Sequence, residues 1–358
     1  MIHRLRSGQP RTLAFLLFFV ALSSLATAAP PTINNLSSRG LPLGTSTIVI
    51  TGNDLMPEPR VVLPVPVAAQ KVLEGATANQ VQIELTLDAA VPAGIYPLRL
   101  ATAQGISAAM AVGIDALAEQ PFAPHVAALP VALNGTLQGS TVLKTAFTGQ
   151  KGQPLVVDVE GRRLGIELNP VLHLLDARGV QIAYAAPSSA LAGDARLAVQ
   201  LPADGRYTVE LHDALYRGPG PGTFRLKIGS FHYADLAFPL GVRRGSKSPL
   251  EFVSTNLPAG SKVESSDVPG PGEFPAPWPA IGLISGGRPR VIFSDHEEVT
   301  EGPKSGDSLQ RLAAPMAVSG RVAAAGEEDR YELVATPGVR LRFDVLAARV
   351  GSPLDGVL

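Results

Sequence analysis

The sequence predicts an all-β chain of tandem antiparallel β-sandwich modules whose last module is cut short. Three observations carry that expectation: a turn-rich composition, apolar runs of period two, and two internal repeats. Gly (36) and Pro (32) make up about a fifth of the 358 residues, against roughly 12% in ordinary proteins, and they lack the strict period of collagen. A hydrophobic fraction of 46% with only 17% charged residues opposes disorder, which needs the reverse balance. The absence of Cys removes disulfide scaffolds, thiolate zinc ligands and thiol catalysis together.

Residues 1–28 read as a secretory signal peptide. Arg4, Arg6 and Arg11 precede an apolar run at residues 13–25, and Ala26-Thr27-Ala28 supplies the small-residue cleavage site. The run is shorter than the ~20 residues of a spanning helix, and no later stretch is long and apolar enough to span. The expected destination is therefore export: periplasm, cell surface or medium, with no membrane span after cleavage. A net charge of −1 without a basic cluster gives no expectation of a nucleic-acid partner.

The remainder reads as strand and turn. Residues 46–51 (STIVIT) form a β-branched run before Gly52-Asn53-Asp54. Residues 81–87 (VQIELTL) place Val81, Ile83, Leu85 and Leu87 on one face. Leu197, Val199 and Leu201 alternate in the same way, as do Tyr207, Val209 and Leu211 across the turn at residues 202–205, leaving Arg206, Thr208, Glu210 and His212 toward water. A short helical turn is allowed near residues 115–120. The five-proline stretch at 268–279 is excluded from a central strand and reads as an extended surface loop; Trp278 within it is expected to cap its module.

The repeats set the organisation. Residues 157–172 (VDVEGRRLGIELNPVL) recur without a gap at 343–358 (FDVLAARVGSPLDGVL), with seven of sixteen positions identical, including Asp158/Asp344, Arg163/Arg349, Gly165/Gly351 and Leu172/Leu358. A weaker repeat relates Leu41-Pro42-Leu43-Gly44 to Phe238-Pro239-Leu240-Gly241, each ahead of a strand that ends in an Asn-containing turn. The expected order is module A (30–118), module B (125–230), A′ (234–300) and the start of B′ (310–358), joined by short linkers such as residues 119–124. B′ stops where B still has three or four strands to run, which reads as a fragment or an early-terminated frame.

The B copies resemble the bacterial pre-peptidase C-terminal (PPC) domain, a jelly-roll-like sandwich. The residues that carry the resemblance are Gly326-Glu327-Glu328-Asp329-Arg330-Tyr331, Gly338, Phe343-Asp344-Val345 and residues 349–355, with 174–179 and 201–207 in the first copy. The A modules resemble immunoglobulin-like TIG/IPT domains through Pro31-Thr32-Ile33, residues 44–47, residues 52–55 and residues 92–96. The PPC resemblance implies attachment to secreted hydrolases. The first B copy departs from the acidic turn, having Thr141, Val142 and Leu143 there.

No catalytic constellation assembles. Gly44-Thr45-Ser46-Thr47 continues as a strand, without the His and Asp motifs of a serine-protease triad. Residues 241–248 (GVRRGSKS) have the wrong spacing for a phosphate loop, and His296-Glu297-Glu298 lacks a second His. The mature histidines, His125, His173, His212, His232 and His296, show no metal-ligand spacing, and His173 reads as a solvated strand position. Asp158 and Asp344 alternate outward, each within reach of Arg163 or Arg349, a surface pairing typically worth about 0–1 kcal/mol. The one cofactor expectation is calcium, for which Glu327, Glu328, Asp329 and Asp355 would gather oxygens around a cation that takes about 6–8 of them. Asn35 and Asn134 head glycosylation sequons that matter only in a eukaryotic secretory host.

The sequence thus points to a non-catalytic exported scaffold, binding or spacer protein. The alternative is the accessory region of a larger secreted peptidase, of subtilase type by association, whose catalytic domain lies outside this chain. Expected partners are other domains of the same parent protein, a cell-surface protein or a polysaccharide. One Trp and six Tyr offer few platforms for sugars.

Overall fold

The computed structural model describes residues 29–218, 220, 222–302 and 309–358; the signal peptide expected at 1–28 lies outside them. Regular structure is almost wholly β, with three single 3-10 turns among the described residues. None of their helices is long and apolar enough to cross a membrane.

Unit A contains β1 (Thr32–Leu36), β2 (Gly40–Pro42), β3 (Gly44–Asn53), β4 (Arg60–Val62), β5 (Val67–Val72), β6 (Gln80–Leu87), β7 (Gly94–Thr102), β8 (Gly105–Ile106) and β9 (Met110–Asp115). They form two sheets, β1-β3-β6-β5 and β2-β9-β7-β4, with β8 added to β7. The alternation read in residues 81–87 is realised. Val81, Ile83, Leu85 and Leu87 are buried against Ile48, Ile50, Leu98, Leu100, Val112 and Ile114, while Glu84 faces solvent. An antiparallel sheet with one wet face produces that pattern.

Unit B contains β10 (Ala118–Pro121), β11 (Val131–Thr136), β12 (Leu143–Gly149), β13 (Pro154–Glu160), β14 (Pro170–Leu175), β15 (Gln181–Ala185), β16 (Arg196–Gln200), β17 (Gly205–Asp213) and β18 (Thr223–Gly229). Its sheets, β10-β11-β18-β13-β16 and β12-β17-β14-β15, enclose Phe147, Val157, Val159, Leu172, Leu174, Val209, Leu211, Phe224, Leu226 and Ile228. The expected linker at 119–124 and the helical turn near 115–120 are corrected here. Residues 118–121 are strand β10, paired in parallel with β11, because the neighbouring sheet edge supplies backbone partners that a free linker would lack.

Unit A′ contains β19 (Ala234–Phe238), β20 (Gly241–Arg243), β21 (Pro249–Thr255), β22 (Lys262–Glu264), β23 (Gly272–Pro275) and β24 (Arg290–Ser294), in sheets β19-β21-β22 and β20-β24-β23. Its core is small: Ala237, Val242, Leu250, Ala276, Val291 and Phe293. The proline-rich stretch is not entirely loop. Residues 272–275 form β23, which pairs only with β24, and an edge strand is where Pro is tolerated.

The last part holds β25 (Glu297–Thr300), β26 (Gln310–Ala313), β27 (Met316–Ser319) and β28 (Tyr331–Val334). They form two parallel pairs, β25 with β27 and β26 with β28. Strand β25, expected within A′, thus belongs by pairing with the residues that follow it.

Candidate functional site

Among the described residues, the outer face of the β11-β18-β13-β16 sheet carries the largest cluster of buried charged side chains. Alternation in β13 turns Val157 and Val159 into the core and Asp158 and Glu160 outward; in β18 it turns Phe224, Leu226 and Ile228 inward and Arg225 and Lys227 outward. The register then sets opposite charges side by side: Asp158 opposite Lys227, Glu160 opposite Arg225, and Asp158 opposite Arg196 of β16. Cross-strand pairs of this kind favour that register.

These charges are not solvated, which corrects the expectation for Asp158. Asp158, Glu160, Arg225 and Lys227 are each 0% exposed, because units A and A′ pack over this face. Arg225 reaches Asp115 at the end of β9 through both terminal nitrogens (2.8 and 3.0 Å). It also reaches Glu119 of β10 (2.9 Å) and Glu160 (3.1 Å). The Ser285 hydroxyl donates to Asp115 at 2.6 Å, and the Asn134 amide to Glu119 at 2.6 Å. The network continues from Lys227 to Glu160 (2.7 Å) and Asp158 (2.8 Å), then from Arg163 to Asp158 (2.6 Å) and Asp194 (2.8 Å). Its far end is Arg196, paired with Asp235 of unit A′ at 2.8 Å and lying 3.9 Å over the Tyr233 ring.

Unit A makes room by having no side chain at two points. A Cβ on Gly113 would stand 2.7 Å from Arg225 Nη1, and one on Gly40 would overlap the Glu119 carboxylate. Trp278 adds a link between units. Its indole N–H donates to the Ala93 carbonyl of unit A at 2.8 Å while its ring stacks on Phe252 of A′. It therefore caps its own unit, as expected, and also touches another.

The electrostatics divide the carboxylates. Burial pushes Asp115, Asp158 and Glu160 up, but the surrounding cations outweigh it and hold all three below the ordinary range. For Glu119 and Asp235, burial prevails over Arg225 and Arg196 respectively, and both are raised. The carboxylates of the network (Asp115, Glu119, Asp158, Glu160, Asp194, Asp235) outnumber its cations (Arg163, Arg196, Arg225, Lys227). The raised pair sits at the two ends, Glu119 on Arg225 and Asp235 on Arg196.

The residues expected to hold calcium lie elsewhere. Glu327 accepts from the backbone N–H groups of Ala323 and Ala324, Glu328 pairs with Arg330 at 2.8 Å, Asp329 lies near Gly320, and Asp355 is exposed. Among the described residues no three His, Cys, Asp or Glu side chains converge as a metal-holding group. The reading of the histidines as scattered is also corrected. Pairing of β14 with β17 brings His173 and His212 together, Nε2 to Nε2 at 3.1 Å. Both were legible as outward-facing; their adjacency depends on the order and register of strands 39 residues apart.

No family model matches the chain, and no curated protein does. Among solved structures, the pre-peptidase C-terminal domain of a collagenase from Bacillus anthracis is similar to part of it. That match has 14% identity and a TM-score of 0.25, over 30% of this chain and 96% of the other. A periplasmic inhibitor of g-type lysozyme from Aeromonas hydrophila matches at 15% identity and TM-score 0.23, over 31% and 98%. A titin I-band fragment matches at 12% identity and TM-score 0.17, over 74% and 98%. These neighbours are similar to pieces of the chain and assign it no activity.

Proposed function

We propose that this chain is a non-catalytic exported scaffold that holds β-sandwich units in one fixed arrangement. In that role it spaces or displays other domains of its parent protein at the cell envelope or outside the cell, with a cell-surface protein or a polysaccharide as a further partner. The observation that carries the reading is Arg225, fully buried in unit B yet bonded to Asp115 of unit A, which also receives Ser285 from the segment after A′ begins. Buried ion networks add little net stability against an apolar packing, but they penalise every arrangement that leaves a charge unpaired. Such a junction suits a spacer whose job is geometry. A flexible string of modules would need only short polar linkers, with relative motion as the default.

The test is a distance measurement by double electron–electron resonance, with spin labels at the exposed Lys71 of unit A and Lys262 of unit A′. A single narrow distance that broadens in Arg225→Ala is expected. A distribution already broad in the wild-type chain would overturn the rigid-scaffold reading. Casein hydrolysis by the purified chain, abolished by a serine-directed inhibitor, would overturn its non-catalytic part.

A further inference from the structure

The pairing of His173 with His212 has no role in the scaffold reading and does not depend on it. The two residues occupy diagonal positions on neighbouring strands, since Val171 lies opposite His212 and His173 opposite Glu210. Their rings therefore share the outer face of the β12-β17-β14-β15 sheet. His212 is only 7% exposed. Tyr216 lies flat on it, with ring centres 4.6 Å apart and planes 4° from parallel, and Tyr184 packs on His173 at 5.1 Å.

The hydrogen bonds at the far ring nitrogens fix the chemistry of the near ones. His212 Nδ1 faces the carbonyl oxygen of Asp213 at 2.9 Å, and His173 Nδ1 faces Gln181 Oε1 at 2.6 Å. A backbone carbonyl only accepts, so His212 Nδ1 carries the hydrogen and its neutral ring presents a lone pair at Nε2; with Gln181 presenting Oε1, neutral His173 does the same. Those lone pairs meet across 3.1 Å. Two acceptors so close repel unless an electrophile stands between them, and a divalent metal ion is one.

We propose that His173 and His212 form a two-imidazole site for a late first-row divalent cation, Cu²⁺ or Zn²⁺. Imidazole nitrogen suits both ions. Metal–nitrogen bonds of about 2.0–2.1 Å to two nitrogens at the observed 3.1 Å separation enclose an angle of about 98°, between the square and tetrahedral values. A carbonyl accepting from Nδ1–H is the usual orienting partner of a metal-bound His; here one is backbone and one is an amide. Tyr216, stacked on His212, and Tyr184, tilted 58° against His173, limit the motion of the rings, so little side-chain freedom remains to be lost on binding. Glu210, beside His173 in the register, is engaged by Lys144 at 2.6 Å. The remaining coordination positions open to water or to a donor from a partner.

The experiment uses the tag-free full chain, titrated separately with CuSO₄ and ZnCl₂ by calorimetry, with electron paramagnetic resonance of the Cu²⁺ form. One equivalent of metal and a hyperfine pattern from two nitrogens are expected, along with at least ~10-fold weaker binding in His173→Ala and in Gln181→Leu, the range seen when outer-shell partners are removed. His173 is the more exposed of the pair, so its variant keeps the test sound if His212→Ala fails to fold. His125→Ala is expected to bind like the wild type. Undiminished affinity in His173→Ala, or coupling to a single nitrogen, would overturn the proposal. So would a ¹⁵N spectrum with a hydrogen fixed on His173 Nε2 that persists when metal is added, since the slot would then hold only a proton shared with His212.

Discussion

Residues 157–172 and their copy at 343–358 make the same local structure in opposite surroundings. Each block ends its first segment in a 3-10 turn, Arg162–Leu164 in one and Ala348–Val350 in the other, closed by a left-handed glycine, Gly165 (φ 81°) or Gly351 (φ 87°). In each, the turn Arg reaches back to the Asp five residues earlier, at 2.6 Å for Arg163 to Asp158 and 2.5 Å for Arg349 to Asp344. There the likeness stops. The Asp and Arg side chains are 0% and 11% exposed in the first pair, and 44% and 60% in the second. Val157 and Leu172 are buried; their counterparts Phe343 and Leu358 are 56% and 84% exposed. In unit B, strands β14, β15 and β17 build the second sheet and β16 and β18 flank β13 in the first, which units A and A′ cover. Among the described residues no such sheets enclose 343–358, where only Ala347 and Val350 are buried. One ion-pair motif is thus a nearly free surface contact in one place and a buried junction in another, and the neighbouring strands decide which.

Acid should affect that contrast most. Asp115, Asp158 and Glu160 have depressed values in the folded state, so the stability they contribute is present above the unfolded carboxylate range of about 3.9–4.3 and lost as pH falls below it. Glu119 and Asp235 are raised, so they act oppositely: their protonation, which starts above that range, favours the folded state. The expected profile from urea melts is a shallow gain on lowering pH toward that range, then a steep loss below it. Stability that rises steadily on acidification through pH 3 would contradict the buried network.

Arg225→Met comes next. It leaves Asp115, Glu119 and Glu160 without their shared cation, and breaking a buried ionic partner in this way costs about 3–5 kcal/mol. Chemical denaturation should show that loss, and amide exchange should speed up in β9, β10 and β18 together. A loss confined to unit B would mean that the junction does not couple the units.

The sharpest comparison is one substitution made twice. Asp158→Asn removes a buried charge that faces Arg163, Arg196 and Lys227 and should cost roughly 3 kcal/mol. Asp344→Asn removes a half-exposed one and should stay within about 1 kcal/mol. Equal costs would show that burial is not what separates the two copies. Gly113→Ala adds one methyl against Arg225 and Glu160; overpacking of that sort costs about 1–3 kcal/mol, and thermal melts should show a smaller loss than for either buried-charge variant.

Much of the strand content was legible. The alternation at residues 81–87 told which side chains would be buried, because an antiparallel sheet with one wet face imposes period two. The 3-10 turns were not legible: only the structure shows that the repeated Gly165 and Gly351 close them, in a conformation that side chains disfavour. The candidate junction was half legible: alternation placed Asp158 outward and put Arg163 within its reach, and both hold in the structure. Outward was then equated with solvated, and that step failed. The role of residues 119–121 was hidden too, because a four-residue edge strand is too short to carry a periodic signal of its own. His173 and His212 were legible as two outward histidines and not as a pair.

The sequence by itself determined what depends on neighbours along the chain: the alternation of faces, the turns and their glycines, the Asp–Arg contact within each repeat. The tertiary structure alone decided what covers those faces. Packing of units A and A′ over one sheet of unit B buries the charges at the centre of that face, Asp158, Glu160, Arg225 and Lys227, completely, and strand order sets two imidazoles against each other. The physical reason is that burial and register are properties of surfaces brought together from far apart in the chain, whereas alternation and turn formation are fixed by backbone geometry within a few residues.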